Sequence, residues 1–378
     1  MPDGPSFDPG FSTDALTALY SPGPTVDALL RFEEALALAL ADTGLAPRDE
    51  AEATARACRV GVEDPQRILE STWETGTPII ALREAVGAGQ WFHYGATTQD
   101  AVDTAQMIQA DEALEILDGH LSAIAERLRD LTRAHRRQPQ MGRTFLQDAR
   151  PTTFGFRTAT WLDAVLGHIV ELRHLRGQLA VQLGGPVGTR DAYGEQDRAV
   201  VDALADRLGL GTSEVSWQTN RSRVLALAQA VERMARTMAK IGSDIALLAS
   251  SPIAEVTVRS GGSSSMPEKM NPIDSVRTVA AAAACAGAAA MLIAAPSHEL
   301  ERAVGGWHVE WLALPLVFQT AGASVEAMEV CLGSLEVDAE VMGSSHPDSG
   351  ASAAGSPQID SVLSACDQTL AQRPQSPR

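Results

Sequence analysis

The sequence is poor in aromatic residues and in positive charge. Aromatics make up only 4% of the 378 residues, whereas alanine dominates the stretch 280–290. Because strands are enriched in aromatic and β-branched side chains and helices favour alanine, this composition argues against an all-β fold. Thirty Lys and Arg stand against 48 Asp and Glu, a formal net charge of -18. Such a surface repels phosphate backbones and anionic lipids, so we expect neither nucleic-acid nor membrane-surface binding.

Cysteine is also scarce. The four cysteines, Cys58, Cys285, Cys331 and Cys366, lie far apart and never form a CxxC pair. Their spacing predicts small buried hydrophobic residues in a reducing compartment rather than disulfides or metal ligands. No cluster of His, Cys and Asp indicates a metal site, and we expect no cofactor.

The N-terminus has no cationic stretch followed by an apolar core, so it does not read as a secretory signal. The richest apolar segment, 279–296, is mostly alanine and ends in proline. We therefore expect no uninterrupted apolar run of the roughly 18 to 20 residues that a membrane span needs, and we expect the protein in the cytoplasm.

The periodicity of apolar residues predicts a mainly α protein. A helix beginning at Thr25 and shorter helices after it form a predicted N-terminal helical domain, 1–100. Residues 101–340 form a predicted elongated bundle of long antiparallel helices, which one chain cannot cover fully, so we expect self-association. The predicted long helices are 100–137, 152–183, 222–250, 274–295 and 309–335.

The last segment, 341–378, is rich in Ser, Gly and Pro. This composition predicts a largely disordered tail. One short amphipathic piece interrupts it near 359–370.

The strongest candidate for chemistry is the loop 260–272, which reads SGGSSSMPEKMNP. By composition alone it is a solvated linker. However, residues 262–271 match every fixed position of G-S-S-x-M-P-x-K-x-N, and the chain thereby resembles the fumarase/aspartase superfamily. The run HYGATTQD at 93–100 resembles the first signature of that superfamily, and GRTFLQ at 142–147 the second. The resemblance covers roughly residues 10–340 and is greatest to the branch that cycloisomerises 3-carboxy-cis,cis-muconate, because of the stretch ELERAVGGWHVEW at 299–311.

The resemblance implies a three-domain, mainly α enzyme that forms a homotetramer, with each active site built from segments of three subunits. Carried over by position, Ser263 is the acid or base that exchanges a proton with a carboxylate-stabilised carbanion. Lys269 helps to stabilise the serine oxyanion, and together with Asn271 it holds a substrate carboxylate. Gly261 and Gly262 are the implied hinges of the loop. The other implied substrate-binding residues are His93, Thr97, Thr98, Gln99, Thr144, Gln147 and Arg302.

Three of these assignments have structural alternatives in the sequence. His93 is equally consistent with a hydrogen-bonded structural histidine. The run from Thr97 to Gln99 also suits a simple helix cap that ends at Asp100. Arg302 is either a bidentate carboxylate clamp or the partner of a neighbouring glutamate, Glu299 or Glu301.

Departures from the superfamily pattern bear on the reaction. Phe145 stands where fumarase and several relatives carry an acid-base histidine, and Val276 where its supporting glutamate would be. A carboxylate nucleophile or leaving group is stable as an anion and needs no such proton donor, which agrees with cycloisomerisation. Glu268 and Met270 replace the commoner histidine and arginine of the loop, so a tricarboxylate substrate loses one cation. We also predict that the C-terminal domain of the family is missing or degenerate.

Three functions stay open at this point. The resemblance implies conversion of 3-carboxy-cis,cis-muconate to 4-carboxymuconolactone, in the protocatechuate branch of the β-ketoadipate pathway. A second candidate is a fumarate-forming lyase that expels an anion, such as nitrite from nitrosuccinate. A third is a catalytically inactive scaffold with the same fold, which the intact Ser263, Lys269 and Asn271 argue against.

Overall fold

Five helices of 22 to 37 residues form the body of the protein. The computed structural model describes residues 8–266, 268–295, 298–344 and 355–372. The five helices are α7 (Thr98–Ala134), α8 (Phe154–Arg176), α10 (Ser222–Leu248), α11 (Ile273–Ala294) and α12 (Gly306–Gly333). Within the described ranges α11 packs between α10 and α12, while α7 packs on α8 and α12. The predicted bundle of long helices is thereby confirmed.

The longest helix, α7, shows why these segments are helical. It begins where Asp100 accepts the backbone N–H of Thr97 at 3.0 Å, the second half of a capping box. Leu114, Leu121 and Leu128 then recur at seven-residue spacing, and each is at most 1% exposed. That spacing puts them on one face, which packs into the bundle core.

Smaller helices surround α2 in a second core. α2 is buried on nearly every face, and α9 packs against it from a later part of the chain. Val181, Tyr193 and Leu204 belong to this second core, so the packing around α2 extends beyond the predicted 1–100 segment. The helices concerned are α2 (Pro22–Asp42), α3 (Arg48–Val60), α4 (Pro65–Glu70), α6 (Pro78–Val86) and α9 (Asp197–Leu208). Of two other short helices, α1 (Asp14–Leu19) contributes its buried residues to the bundle core, and α5 (Thr72–Thr75) contacts α4 and α6.

Two short antiparallel strand pairs lie at one end of the bundle. β1 (Pro139–Thr144) pairs with β2 (Gln147–Thr153), and β3 (Val256–Thr257) pairs with β4 (Glu336–Val337). The β1–β2 turn consists of Phe145 and Leu146, whose φ angles are 52° and 62°. Two consecutive positive φ angles are the mark of a type I′ hairpin turn.

The prediction of a disordered tail is wrong for residues 355–372. Helix α14 (Ser356–Ala371) packs on α8 and α7, and Ile359 and Cys366 are fully buried. Arg136 also binds Asp360 through both guanidinium nitrogens, at 2.5 and 2.7 Å. The amphipathic piece near 359–370 supplies the short apolar face that the bundle covers. A short helix, α13 (Ala339–Ser344), precedes it, and 345–354 and 373–378 lie outside the described residues.

One expectation about apolar runs is also wrong. Helix α11 is long and apolar enough to cross a membrane, with a mean hydropathy of 1.8 over its richest window. It packs between α10 and α12, and the core helices of globular proteins can share this length and hydropathy. Its apolar character therefore reflects alanine-rich helix packing.

All four cysteines are free and buried, as their spacing predicted. Burial raises the pKa of the Cys58 and Cys285 thiols to about 12. These thiols are therefore protonated and unreactive in the folded protein.

Ile359→Asp should release α14 from the bundle, because it removes about 1.5–3 kcal/mol of favourable side-chain burial and puts a charge in the buried position. We expect the alkylation rate of Cys366 to rise at least about tenfold, since reactivity follows exposure. Peptide mapping after iodoacetamide treatment measures this rate. Ser364→Asp, on the exposed face of the same helix, is the control and should leave Cys366 protected. Equal protection of Cys366 in both variants would contradict the docking of α14.

Candidate active site

The first signature forms a tight turn that leads into α7. A buried carboxylate, Glu33 of α2, accepts the backbone N–H of His93 at 2.8 Å and contacts its ring Nδ1 at 2.6 Å. Gly95 has a φ of 70°, and a Cβ there would lie 2.6 Å from the ring of Tyr193. Only glycine fits this position, which explains the glycine of the motif.

Threonine and arginine meet at the start of α7. Arg302 donates from Nη2 to Thr97 Oγ1 at 3.0 Å, so two predicted site residues from distant segments are in contact. Among the described residues Arg302 forms no ion pair with either neighbouring glutamate, and Glu299 instead accepts the N–H of Val304. The guanidinium is thus available for a ligand. The neighbouring Thr98 hydroxyl is hydrogen-bonded to Thr77 at 2.7 Å.

Gln99 is fully buried and points away from solvent. Its amide nitrogen donates to the carbonyl of Gln218 at 2.6 Å and to Asp103 at 3.1 Å. Its Oε1 is buried and has no hydrogen-bond partner among the described residues. This residue holds the start of α7 against the chain that precedes α10.

A buried ionic cluster next to Gln99 was missed by the sequence reasoning. Arg221 is 7% exposed and binds Asp103 at 2.7 and 3.0 Å and Glu310 through its remaining donors. Trp307 donates to Asp103 at 2.9 Å, and His298 lies 3.4 Å from Glu310. The cluster joins α7, α12 and the segment before α10. Its signal in the sequence was weak, because three isolated charges in helical segments resemble solvated faces.

Asp100 is another buried carboxylate at the same end of the bundle. Asp100 is fully buried and accepts four hydrogen bonds, from Gln182, Thr97 and the backbone N–H groups of Gly184 and Gly185. Burial raises its pKa to about 6 in spite of these donors. The carboxylate holds the loop with Gly184 and Gly185 against α7.

The loop that carries the third signature is partly exposed. Ser263 Oγ accepts the backbone N–H of Met266 at 3.1 Å, and Lys269 is exposed. Asn271 forms a bridge with Gly261 and donates from its side chain to the Gly262 carbonyl at 3.3 Å. This closes the loop at its base. Lys269 forms no ion pair within the described ranges.

The second signature lies on the β1–β2 hairpin. Thr144 and Gln147 are paired across the turn and exposed, and the Phe145 ring is 98% exposed. Arg143 anchors the hairpin through a 2.6 Å hydrogen bond to buried Glu255. In this chain nothing described packs on the tip.

The predicted site residues fall at two ends of the bundle. α11 begins just after the Ser263 loop and ends just before the segment that carries Arg302. Its 22 residues span about 33 Å at 1.5 Å per residue. Ser263, Lys269 and Asn271 therefore lie far from Thr97 and Arg302 within one chain.

Comparison with known proteins identifies the family. A model of a lyase family matches residues 12–287. The chain belongs to this lyase family. It is 38% identical to a 3-carboxy-cis,cis-muconate cycloisomerase of Pseudomonas aeruginosa over 90% of this chain and 78% of that protein. A nitrosuccinate lyase of Streptomyces davaonensis is 32% identical over 86% of this chain and 73% of that protein.

Solved structures agree with this assignment. The 3-carboxy-cis,cis-muconate lactonizing enzyme from Pseudomonas putida superimposes with a TM-score of 0.84 at 30% identity, covering 98% of this chain and 88% of that one. The fold is thus that of the fumarase/aspartase superfamily, as its three signatures implied. The protein is a cycloisomerase-like enzyme of this lyase family.

Arg221→Gln should destabilise the protein strongly, because it leaves Asp103 and Glu310 buried without a cation. Removing one partner of a buried ion pair costs about 3–5 kcal/mol. Urea unfolding at pH 7 measures the loss. Arg198→Gln removes an exposed arginine that also pairs with two carboxylates, and it should leave the unfolding midpoint unchanged. Equal midpoints for the two variants would show that the cluster does not support the fold.

Proposed function

We propose that this enzyme converts 3-carboxy-cis,cis-muconate to 4-carboxymuconolactone. The observation that carries the proposal is the intact Ser263, Lys269 and Asn271 loop in a chain 38% identical to an enzyme of that name. The proposal places the protein in the cytoplasm, in the protocatechuate branch of aromatic breakdown, and requires no metal or organic cofactor.

The reaction begins with addition of a muconate carboxylate oxygen to a carbon of the substrate double bond. As the C–O bond forms, the electron pair of the double bond moves to the neighbouring carbon, next to a second carboxylate. That carbanion takes the proton of the Ser263 hydroxyl, and water later restores the proton. Because no leaving group needs a proton, the histidine that Phe145 replaces is not required.

Ser263 needs stabilisation as an oxyanion after it gives up its proton. Its Oγ already accepts the backbone N–H of Met266 at 3.1 Å. Lys269 lies six residues further along the same loop and supplies a positive charge. A backbone donor and a cation in a site closed to water are the groups that lower the cost of an alkoxide. In this proposal Lys269 and Asn271 also bind the substrate carboxylate.

The separation within one chain supports a site shared between subunits of a homotetramer. Ser263 and Arg302 lie at opposite ends of α11, about 33 Å apart along the helix axis. Copies that pack side by side in opposite directions would bring the loop of one chain to the Arg302 end of another. The exposed hairpin tip, with Thr144 and Gln147 beside Phe145, would supply the third segment. In the proposed site Thr98 and His93 orient the substrate with Thr97, while the buried Gln99 acts indirectly by holding the start of α7 in place.

A second candidate is a fumarate-forming lyase that expels nitrite from nitrosuccinate. The observation that favours it is the loop sequence, because Glu268 and Met270 leave fewer cations for a third carboxylate. The nitrosuccinate lyase relative shows that this family includes such an activity. The inactive scaffold is the least supported of the three, since all three loop residues are present.

An ultraviolet assay with 3-carboxy-cis,cis-muconate tests the proposal, because lactone formation removes the conjugated diene. Ser263→Ala should lower kcat by about 10²–10⁴, the usual contribution of a general acid or base. Ser264→Ala, the neighbouring serine, is the matched control and should retain activity. A Ser263→Ala variant as fast as the parent would show that another group protonates the carbanion. Turnover of nitrosuccinate alone would favour the second candidate.

Mixing two inactive variants tests the shared site. Ser263→Ala and Arg302→Ala should each be inactive, but hybrids of the two should recover about a quarter of the parent activity, because random assembly leaves that share of sites intact. The chains are unfolded together in urea, refolded and assayed. Each variant refolded alone is the control. No recovery in hybrids of confirmed tetrameric size would indicate that both residues come from one chain.

A further inference from the structure

A single buried carboxylate holds both the backbone and the ring of His93. Glu33 is fully buried, and its two oxygens take the His93 backbone N–H at 2.8 Å and the ring Nδ1 at 2.6 Å. The His93 side chain is 16% exposed. Its other ring nitrogen, Nε2, has no hydrogen-bond partner among the described residues. Nδ1 is therefore committed to the protein interior, and Nε2 is the nitrogen left for a ligand.

We propose that Glu33 is a positioning residue that keeps His93 in the imidazolium form, so that Nε2–H binds a substrate carboxylate as a cation. This inference rests on the proposed function, which places His93 at the substrate. It goes further by assigning the charge of His93 and the residue that maintains it.

The backbone geometry shows that the arrangement is held in place by its surroundings. His93 has a φ of 59°, in the left-handed region that non-glycine residues seldom occupy. Such a conformation persists only where neighbouring contacts support it. The Glu33 hydrogen bond to the His93 backbone supplies one contact, and the Tyr193 hydroxyl, which donates to the Tyr94 carbonyl at 3.0 Å, supplies a second beside it.

The charged groups around His93 favour its protonated form. Burial by itself lowers the pKa of His93, but the charge and hydrogen bond of Glu33, with a further contribution from Asp100 on α7, outweigh burial and raise it. Arg83 on α6 acts in the opposite direction. The phenol of Tyr193 is neutral, because burial, Asp100 and Glu33 raise its pKa well above the usual value. Two carboxylates thus raise the pKa of His93, and one arginine lowers it.

The substrate chemistry explains why a third cation is useful. The proposed substrate carries three carboxylates, and the predicted site residues include two permanent cations, Lys269 and Arg302. Met270 occupies the loop position where related enzymes commonly have an arginine. A protonated His93 restores the balance of three positive groups to three negative ones. In a chain of net charge -18, the imidazolium also reduces repulsion of the trianion.

Histidine NMR tests the charge directly. The protein has eight histidines, and loss of one signal in His93→Gln assigns that of His93 in ¹³C-histidine spectra of deuterated protein. Glu33→Gln keeps the shape of the side chain but removes its charge, so the pKa of His93 should fall. Glu329→Gln is the matched control, since Glu329 contacts His120 Nδ1 at the same 2.6 Å and should leave His93 unchanged. An unaltered His93 titration in Glu33→Gln would overturn the proposal.

Ligand binding tests the consequence separately from catalysis. Propane-1,2,3-tricarboxylate is an unreactive probe with three carboxylates, and calorimetry gives its Kd. At pH 7.5 Glu33→Gln should weaken binding several-fold, because loss of the Glu33 charge lowers the pKa of His93 and with it the fraction of imidazolium. At pH 5.5, where a larger fraction of the variant carries the imidazolium, the difference should be smaller. A defect of equal size at both pH values would overturn the proposal, because it would indicate a purely structural loss.

Kinetics separate this inference from the proposed function. If the parent enzyme turns over the muconate, Glu33→Gln should raise KM at pH 7.5 with little change in kcat. The double variant Glu33→Gln/His93→Gln should be no worse than His93→Gln alone, because both changes remove one cation. If no substrate is turned over, the proposed function fails, while the NMR titration and the calorimetry still decide the role of Glu33. Additive losses in the double variant would contradict the proposal.

Discussion

The buried pairing of Arg221 with Asp103 and Glu310 is the interaction on which one end of the bundle depends. One guanidinium joins α7 to α12 and to the segment before α10. Two buried carboxylates near each other would repel strongly without it. Because Gln99 is hydrogen-bonded to Asp103, the start of α7 is positioned by the same cluster. Arg302 and Thr97 meet on the adjoining surface, so the cluster also helps to position this proposed carboxylate-binding pair.

The opposite end of the bundle is organised differently. There the hairpin and the Ser263 loop are held by few contacts, such as the side-chain hydrogen bond from Arg143 to Glu255 and the backbone bridge between Gly261 and Asn271. Exposed backbone N–H groups and hydroxyls are useful for a loop that closes over a ligand. Under the proposed function, a rigid substrate-binding end and a looser proton-transfer end are separated by the length of α11. This division agrees with the proposal that several copies complete one site.

Much of the fold could be predicted because long helices leave a clear period in the sequence. The buried face of α7 is predicted by the seven-residue spacing of Leu114, Leu121 and Leu128. The loop signature is recognisable from its serines and glycines. The Arg221 cluster could not be predicted, since its members lie in three distant segments and each resembles a surface charge. The same applies to Glu33, which sits among alanines and leucines of α2. The docking of α14 was missed because Ser, Gly and Pro around it dominate the composition of the tail.

The side chain of Phe145, in the hairpin turn, contributes little to the stability of its own chain. Its ring is 98% exposed, and the turn conformation depends on the backbone of two residues. Replacing this side chain therefore leaves the hydrophobic core of its own subunit untouched, while in the proposed shared site it alters the surroundings of a substrate bound to a neighbouring copy. Related lyases could thus exchange an acid-base histidine for an apolar residue at this tip with little cost in folding. A family built on one rigid bundle can in this way diversify its reactions through a position that the bundle does not constrain.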